Sequence, residues 1–531
     1  MSKTRVGKYA IESLTRSMYE DSRCIFREYV QNSADQIDTA RLEHLDENDY
    51  YDIQINIDAD NRTISVEDSA TGVALANTYT LRDIARSTKR RGKNKGFRGI
   101  GRLGGLGYCS ELIFETSYKG EAQKTIMRWD AIKLNQIVDD EDDDRDAGEV
   151  IDECLVETHE VEDINAHYFK IYMKDVTDDK LLDVESISEY LSMVAPVEYP
   201  TGFSRFSHQI KQYMRENNLH LDTYNLFVNG DQIYKGYTTR IENRKEGDYS
   251  VTDIRFFDRK DNEGNVIYWG WYSISELKGQ IQSYNIPYGM RLRCHNIQIG
   301  DESTCKRFFS AEGDKRFAQY FYGEVNVVTP ELQPDGRRDY FREGAFRKQF
   351  EQLLTSDFLQ LKVLCNEASD IRGSFKKVAT AIAGQVSAAR KKEKGFVSAA
   401  EKEKTEQDFA KYQQLKEKES KHLRQINEKM QNEGSPLSFM MNELNTCYFG
   451  GTNFSPLSQG TQSPQLPPVI DNTNTSENTG TGLRTDSELY SNFGKKEKKV
   501  INKVYEVIFA SIADEQIRER LISKIETALT K

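Results

Sequence analysis

Ile25-Phe26-Arg27-Glu28-Tyr29-Val30-Gln31-Asn32-Ser33-Ala34-Asp35-Gln36-Ile37 is the stretch from which the rest of the chain can be read. Ile25, Phe26, Tyr29, Ala34 and Ile37 can cover the buried side of an amphipathic helix. Glu28, Asn32 and Asp35, at i, i+4 and i+7, then fall along one other side of it. A carboxylate one turn before a carboxamide suits phosphate chemistry. The amide oxygen is a hard ligand for Mg²⁺, and the carboxylate can orient and deprotonate an attacking water. Taken alone, the trio reads more simply as a solvated helix face with a few acids. The residues that follow reverse that reading.

Two alternating runs come next, Tyr51 to Ile57 and Arg62 to Glu67, joined by the turn-rich Asp58-Ala59-Asp60-Asn61, so a hairpin is expected. The second run ends on Asp68, followed by Ser69-Ala70-Thr71-Gly72. An acid fixed at a strand end beside such a turn can accept from an exocyclic amine. An ordinary strand-ending turn explains it as well. The third piece is Gly96-Phe-Arg-Gly99-Ile-Gly101-Arg102-Leu-Gly104-Gly105-Leu-Gly107, preceded by Lys89, Arg90, Arg91, Lys93 and Lys95. Six glycines in twelve residues let backbone N–H groups approach an anion. A helix start at Tyr108-Cys-Ser-Glu111 would add a favourable dipole. A basic surface patch explains the charges but not the glycine spacing.

In this order the three pieces resemble the GHKL superfamily of ATPases, which includes gyrase, the ninety-kilodalton heat-shock chaperones, MutL and the MORC proteins. The resemblance covers roughly residues 1 to 180 and implies an α+β fold: a Bergerat-type α/β sandwich that binds ATP and Mg²⁺. It implies Glu28 as general base, Asn32 as the Mg²⁺ ligand, Asp68 as the adenine reader and Asp35 as a further pocket-lining residue. Gly72, Lys95, Gly99, Gly101, Arg102, Gly104, Gly105 and Gly107 would belong to the nucleotide-binding turn and the phosphate lid. Three features depart from the family pattern. Ala70 stands where the first motif has a glycine, Ala166-His167 stands where a Gly-Thr pair helps hold adenine, and the lid has one glycine more than usual.

Length and composition bound the rest. A chain of 531 residues has room for several domains. Its net charge of −12 and 30% charged residues fit a cytoplasmic protein. No run approaches the roughly 20 apolar residues that span a bilayer, and the first residues lack the apolar core of a signal peptide. Seven cysteines without a CxxC pair read as reduced thiols, and the histidines show no zinc spacing. No GxxxxGK[ST] loop competes with the glycine-rich segment. The acidic balance argues against broad nucleic-acid binding while leaving room for a local basic channel.

Residues 1–180 are read as the ATP-binding domain. Within it Ile11, Leu14 and Met18 lie at helical spacing in an arm that either packs locally or, by the resemblance, reaches a partner subunit. Strands are expected at Glu111–Ser117, Lys124–Trp129, Glu149–Glu157 and Tyr168–Met173, with Asp139–Glu149 as an acidic loop. Residues 181–370 resemble an α/β transducer domain, with a hairpin around Asn229-Gly230 and aromatic strands after it. Transducers of this superfamily supply a cation to the terminal phosphate. Arg337 and Arg338, after Pro334-Asp335-Gly336 and before an expected helix Arg342–Leu359, are the candidates. Either arginine could instead pair with Asp339 or Glu343. Residues 371–431 are a charged helical region that suits a hairpin and a coiled coil equally. Residues 432–491 are linker-like, and 492–531 form an amphipathic helix.

The chain is therefore expected to bind and hydrolyse ATP with Mg²⁺, coupled to nucleotide-dependent homodimer closure, with DNA or a protein as possible client and no membrane partner. The alternative is a nucleotide-gated scaffold that retains DNA or protein clients without hydrolysis-driven work. A histidine kinase would need a phosphoacceptor helix upstream, and none precedes Ile25. A MutL-like nuclease would need a downstream metal cluster.

Overall fold

The computed structural model describes residues 6–15, 20–84, 95–96, 99–245, 247–275, 277–449 and 456–457. Beyond these it describes only short pieces between 493 and 526. The chain divides into two units, Met1–Gln462 and Ser463–Lys531.

The first unit opens with the short helix α1 (Tyr9–Leu14) and the helix α2 (Cys24–Glu43). Ile11 is buried; Met18 lies outside the described residues. On α2 the apolar Ile25, Phe26, Tyr29, Ala34 and Ile37 are buried as their spacing predicts. Ile25, Phe26 and Ile37, fully buried, each contribute about 1.5–3 kcal/mol, so the helix is anchored by packing. β1 (Asp52–Asp58) and β2 (Thr63–Asp68) pair antiparallel as the expected hairpin, Ile53 opposite Asp68. Ile53, Ile55 and Ile57 point into the core, while Gln54 and Asn56 do not, the alternation of a sheet with one wet face.

α3 (Tyr79–Arg82), β3 (Glu111–Ser117), β4 (Gln123–Asp130), α4 (Ala131–Asp139), α5 (Ala147–Cys154), β5 (Leu155–Val161), β6 (Tyr168–Lys174), α6 (Val184–Val194), α7 (Ser204–Glu216), β7 (Asn225–Val228) and β8 (Asp231–Gln232) follow. The sheet runs β5-β4-β3-β6-β2-β1-β7-β8. All its pairs are antiparallel except β1 with β7. This is the α+β architecture expected from the sequence.

Three local expectations are corrected. The strand expected at Glu149–Glu157 begins only at Leu155. Asp146 and Glu149 form a reciprocal capping box that starts α5 inside the acidic run. No helix starts at Tyr108–Glu111. The glycines at 101–107 themselves take short 3₁₀ turns, and Ser110 N–H already donates to Lys174 O as the chain enters β3. The Asn229-Gly230 hairpin, expected within the second domain, extends the first sheet through β1 and β7.

A two-stranded ribbon, β9 (Arg240–Ile241) with β10 (Tyr249–Ser250), leads to a second sheet. Its strands are β11 (Asp253–Lys260), β12 (Val266–Ile274), β13 (Gly289–Cys294), β14 (Ile297–Ile299) and β15 (Tyr322–Val327), in the order β11-β12-β15-β13-β14. At its heart Glu324 lies 2.7 Å from both Lys235 Nζ and Arg293 Nε, all three fully buried, and accepts from Tyr199 and Tyr237. Burial, with the neighbouring Arg293 cation, pushes the Lys235 pKa down to about 7.

The expected helix Arg342–Leu359 is the beginning of a much longer one, α8 (Ala345–Lys394). Its 50 residues span about 75 Å, so it runs through the boundary expected at residue 370. α9 (Ala399–Glu433) turns back along it. Antiparallel pairing is fixed by Lys377 with Glu419, Asp370 with His422, and Gly384 against the Tyr412 ring. α10 (Ser438–Phe449), inside the stretch expected to be linker, buries Met440, Met441 and Phe449. In the second unit Ile501, Tyr505 and Ile522 form a small apolar cluster. Most of the expected linker and C-terminal helix lies outside the described residues.

Candidate functional site

A cavity of about 90 Å³ opens beside α2. Glu28, Gln31 and Asn32 line it from the helix, Lys95, Gly96 and Gly99 to Arg102 from the glycine-rich segment, and Pro334, Asp335, Gly336 and Arg338 from the loop before α8. Three segments, the first and last of them more than 300 residues apart in the chain, therefore converge on one small space. Glycine is required at its wall. A Cβ on Gly96 would stand 2.2 Å from Gln31 Nε2, and one on Gly101 would stand 2.6 Å from Glu28 Oε2. The glycines thus let the backbone lie directly against the helix's polar line.

Glu28 is buried and pairs with its neighbour Arg27, Nη2 to Oε1 at 3.3 Å. Arg27 also donates to Arg337 O at 2.6 Å. The two candidate arginines are separated by this geometry. Arg337 is exposed and does not line the cavity, while Arg338 is buried. Arg338 Nη2 donates to Lys95 O at 2.6 Å, and its Nη1, also buried, has no hydrogen-bond partner among the described residues. Burial holds the Arg338 pKa below its ordinary value, with the Glu28 carboxylate acting in the opposite direction. A desolvated guanidinium with an unused N–H is costly unless an anion meets it. Its presence beside backbone amides, a carboxylate and a carboxamide fits a phosphate group with a hard cation.

Asp35, expected to line the pocket, is placed behind it. Its carboxylate accepts the N–H of Lys95 at 2.7 Å and of Gly96 at 3.0 Å, so it fixes the lid to the helix. Lys95 reaches the cavity wall, but its ammonium pairs with Asp38 and Asp222, neither of which lines the cavity. Arg102 also reaches the wall, while its guanidinium donates to Leu81 O and, at 2.8 Å, to Asp83 O at the end of α3; burial lowers its pKa to about 10. Gly99 and Gly101 line the cavity; Gly104, Gly105 and Gly107 do not. Gly105 N–H is held by Tyr29 Oη at 3.0 Å. The back half of the glycine run therefore packs on α2.

Asp68 ends β2, buried, 3.3 Å from Ala70 N, and is separate from the cavity lining. Gly72 has φ +66°, and a Cβ there would stand 1.9 Å from Ser117 O. Its role is to let the turn cross β3. Because β6 pairs with β2, Asp68 opposite Phe169, residue 167 is brought to the same turn. His167 Nδ1 lies 2.8 Å from Ala70 O and Nε2 lies 3.3 Å from Asp46. Two of the three departures from the family pattern thus meet in one contact. Arg27 and Gln31 went unread in the sequence. Gln31, three residues after Glu28 and four before Asp35, shares the helical spacing of the polar line, so the periodicity held a signal for it. Arg27 is adjacent to Glu28 in sequence and reaches it only through the length of its side chain.

Residues 22–160 match the model of a family described as histidine kinase-, DNA gyrase B- and HSP90-like ATPases. That stretch holds α2, the hairpin and the glycine-rich segment, and it is similar to GHKL-type ATPase domains. Among curated proteins, the chaperone protein HtpG of Psychrobacter arcticus is 28% identical over 135 residues, 22% of this chain. The match spans 21% of that relative, about a fifth of its length. Among solved structures, the ATPase region of Saccharomyces cerevisiae topoisomerase II is similar over 65% of this chain and 85% of its own, with 14% identity and a TM-score of 0.35. Among the described residues no helix is long and apolar enough to cross a membrane, and no three His, Cys, Asp or Glu side chains gather as a metal site.

Proposed function

We propose that this protein binds ATP with Mg²⁺ between α2 and the glycine-rich segment, hydrolyses it, and uses the nucleotide state to close two copies into a clamp. The observation that carries the reading is the convergence of Glu28, Asn32 and the buried Arg338 on one cavity from distant parts of the chain. Glu28 would take the proton of the attacking water. Asn32 would hold Mg²⁺ through its amide oxygen, and the ion would neutralise phosphate charge. Arg338 would present its unused N–H to the oxygens on which charge grows. Asp68 and the turn through Gly72 would receive the base, with His167 replacing the usual threonine beside it. A cavity of about 90 Å³ is far smaller than the several hundred Å³ of a nucleotide-sized pocket. On this reading nucleotide binding would shift the lid or the Arg338 loop, and that shift would couple the nucleotide to shape.

Calorimetric titration of ATP with and without Mg²⁺, paired with phosphate release, tests the proposal. Wild type should bind only with Mg²⁺ and release phosphate; Glu28→Ala should bind and not release; Asp68→Asn should not bind. Normal hydrolysis by both variants would sink the site assignment. Binding without hydrolysis by wild type would favour a nucleotide-gated scaffold for DNA or protein clients. Light scattering with a nonhydrolysable ATP analogue, with and without duplex DNA, would then read out closure and client capture.

A further inference from the structure

Lys95 was expected to touch phosphate, and its surroundings give it another task. Its ammonium is buried, 2.5 Å from Asp38 Oδ2 and 3.3 Å from Asp222 Oδ2, and 5.2 Å from the centre of the Tyr224 ring. Tyr224 Oη donates to Asp38 Oδ1 at 2.6 Å, closing the far side of the box. Asp35 and Asp38, at i and i+3, share a face of α2. Asp222 comes from the loop between α7 and β7. The Lys95 backbone is held just as firmly: Asp35 takes its N–H, and its carbonyl takes Arg338 Nη2 at 2.6 Å. Burial alone would lower the ammonium's pKa, yet Asp222 and Asp38 outweigh it and raise it above its ordinary value. Burial likewise opposes ionisation of Asp222, and His295 and Lys95 overcome it, so its pKa lies well below the carboxylate range.

We propose that Lys95 is a positioning residue: its ammonium, seated between Asp38 and Asp222, fixes the carbonyl that aims Arg338 into the phosphate cavity. The inference rests on the nucleotide-site reading given above. One peptide unit then ties together the helix that carries Glu28, the base of the lid and the loop that delivers the cation. Asp222 lies outside the cavity lining, so any effect of changing it on turnover must travel through Lys95 and its neighbours. A misplacement on the order of 1 Å at a group acting in the transition state costs up to about 100-fold. Losing one of two carboxylates, with the other retained, should give about 10-fold.

Four variants test this: Lys95→Met, Lys95→Arg, Asp222→Asn, and Lys95→Met with Asp222→Asn. ATP titration, steady-state phosphate release and hydrogen exchange at the Lys95 and Gly96 amides are read for each. Lys95→Met should lower kcat by up to about 100-fold and Asp222→Asn about 10-fold, each with KM and ATP affinity within about twofold. The double variant should be no worse than Lys95→Met, since partners in one interaction are not additive. Lys95→Arg should restore most of kcat. Without nucleotide, amide protection should fall in Lys95→Met and Asp222→Asn and be kept in Lys95→Arg. Wild-type kcat in Lys95→Met overturns the proposal. So does loss of ATP affinity in Lys95→Met alone with Asp222→Asn normal, which would make Lys95 a phosphate contact. Should wild type itself fail to hydrolyse ATP, the exchange measurement still decides: unchanged protection in Lys95→Met and Asp222→Asn refutes the clamp.

Discussion

Replacing Arg338 with Met removes the guanidinium while keeping most of the stem, and the structure sets the size of the effect. Nη2 donates to Lys95 O, and Nη1 is buried without a partner among the described residues. A single preorganised donor at a developing oxyanion is worth about 10²–10³ in kcat, ~2.7–4 kcal/mol, and an arginine at a transferring phosphoryl group reaches about 10³–10⁵. Arg338 has one N–H committed to the lid, so the lower figure applies, and kcat should fall about 100-fold. The fold should barely respond. Losing a hydrogen bond from a charged group costs about 1.5–3 kcal/mol, and relief of a desolvated, half-satisfied cation returns a similar amount. Arg337→Met is the control. Its side chain is exposed, and its backbone carries its contacts, the carbonyl accepting from Arg27 and the N–H donating to Asp335, so kcat should stay within about twofold. Phosphate release at saturating ATP, with melting curves for both variants, makes the comparison. An Arg338→Met protein that keeps half the wild-type kcat, or an Arg337→Met protein that loses as much, would refute the assignment of the cation.

Gly101→Ala puts a Cβ 2.6 Å from Glu28 Oε2; the carboxylate must turn away, and kcat should fall about 10-fold with the melting temperature unchanged, so full activity would mean Glu28 is not the base. Gly72→Ala combines φ +66° with a Cβ 1.9 Å from Ser117 O. It should cost about 3 kcal/mol or more in urea unfolding, and a shift of the midpoint too small to measure would show that the turn can rearrange. Lys235, its pKa lowered to about 7, gives a pH dependence. Between that value and the unfolded value near 10.4 the unfolded chain holds a proton that the folded one does not, so folding is favoured as pH rises through the window. The stability of wild type minus that of Lys235→Met should increase from pH 7 to pH 10, and a flat difference would mean that Glu324 keeps the lysine fully charged.

The linear pattern carried the fold of the first 180 residues a long way. The spacing of Ile25 to Ile37 defined a helix and its polar line, and the alternation in Ile53–Ile57 and Ile64–Val66 defined a hairpin, because both periodicities are set by local backbone geometry. Local cap chemistry could have been read more closely. The Asp146/Glu149 box that begins α5 is a sequence signal, and the acidity of its surroundings disguised it. Glu28 and Asn32 were legible as a pair on the same grounds, one helical turn apart.

What the sequence could not determine was direction and company. It marked Arg337 and Arg338 as equals, and only the turn at Arg338, with its φ of +57°, buries one and exposes the other. It offered Lys95, Arg102 and six glycines as phosphate contacts. Packing assigns the Lys95 ammonium to Asp38 and Asp222, the Arg102 guanidinium to the end of α3, and Gly105 to Tyr29. A buried charge settles wherever opposite charge and hydrogen-bond partners gather. Those partners lie as far away in sequence as Asp222, a distance at which no residue periodicity holds information.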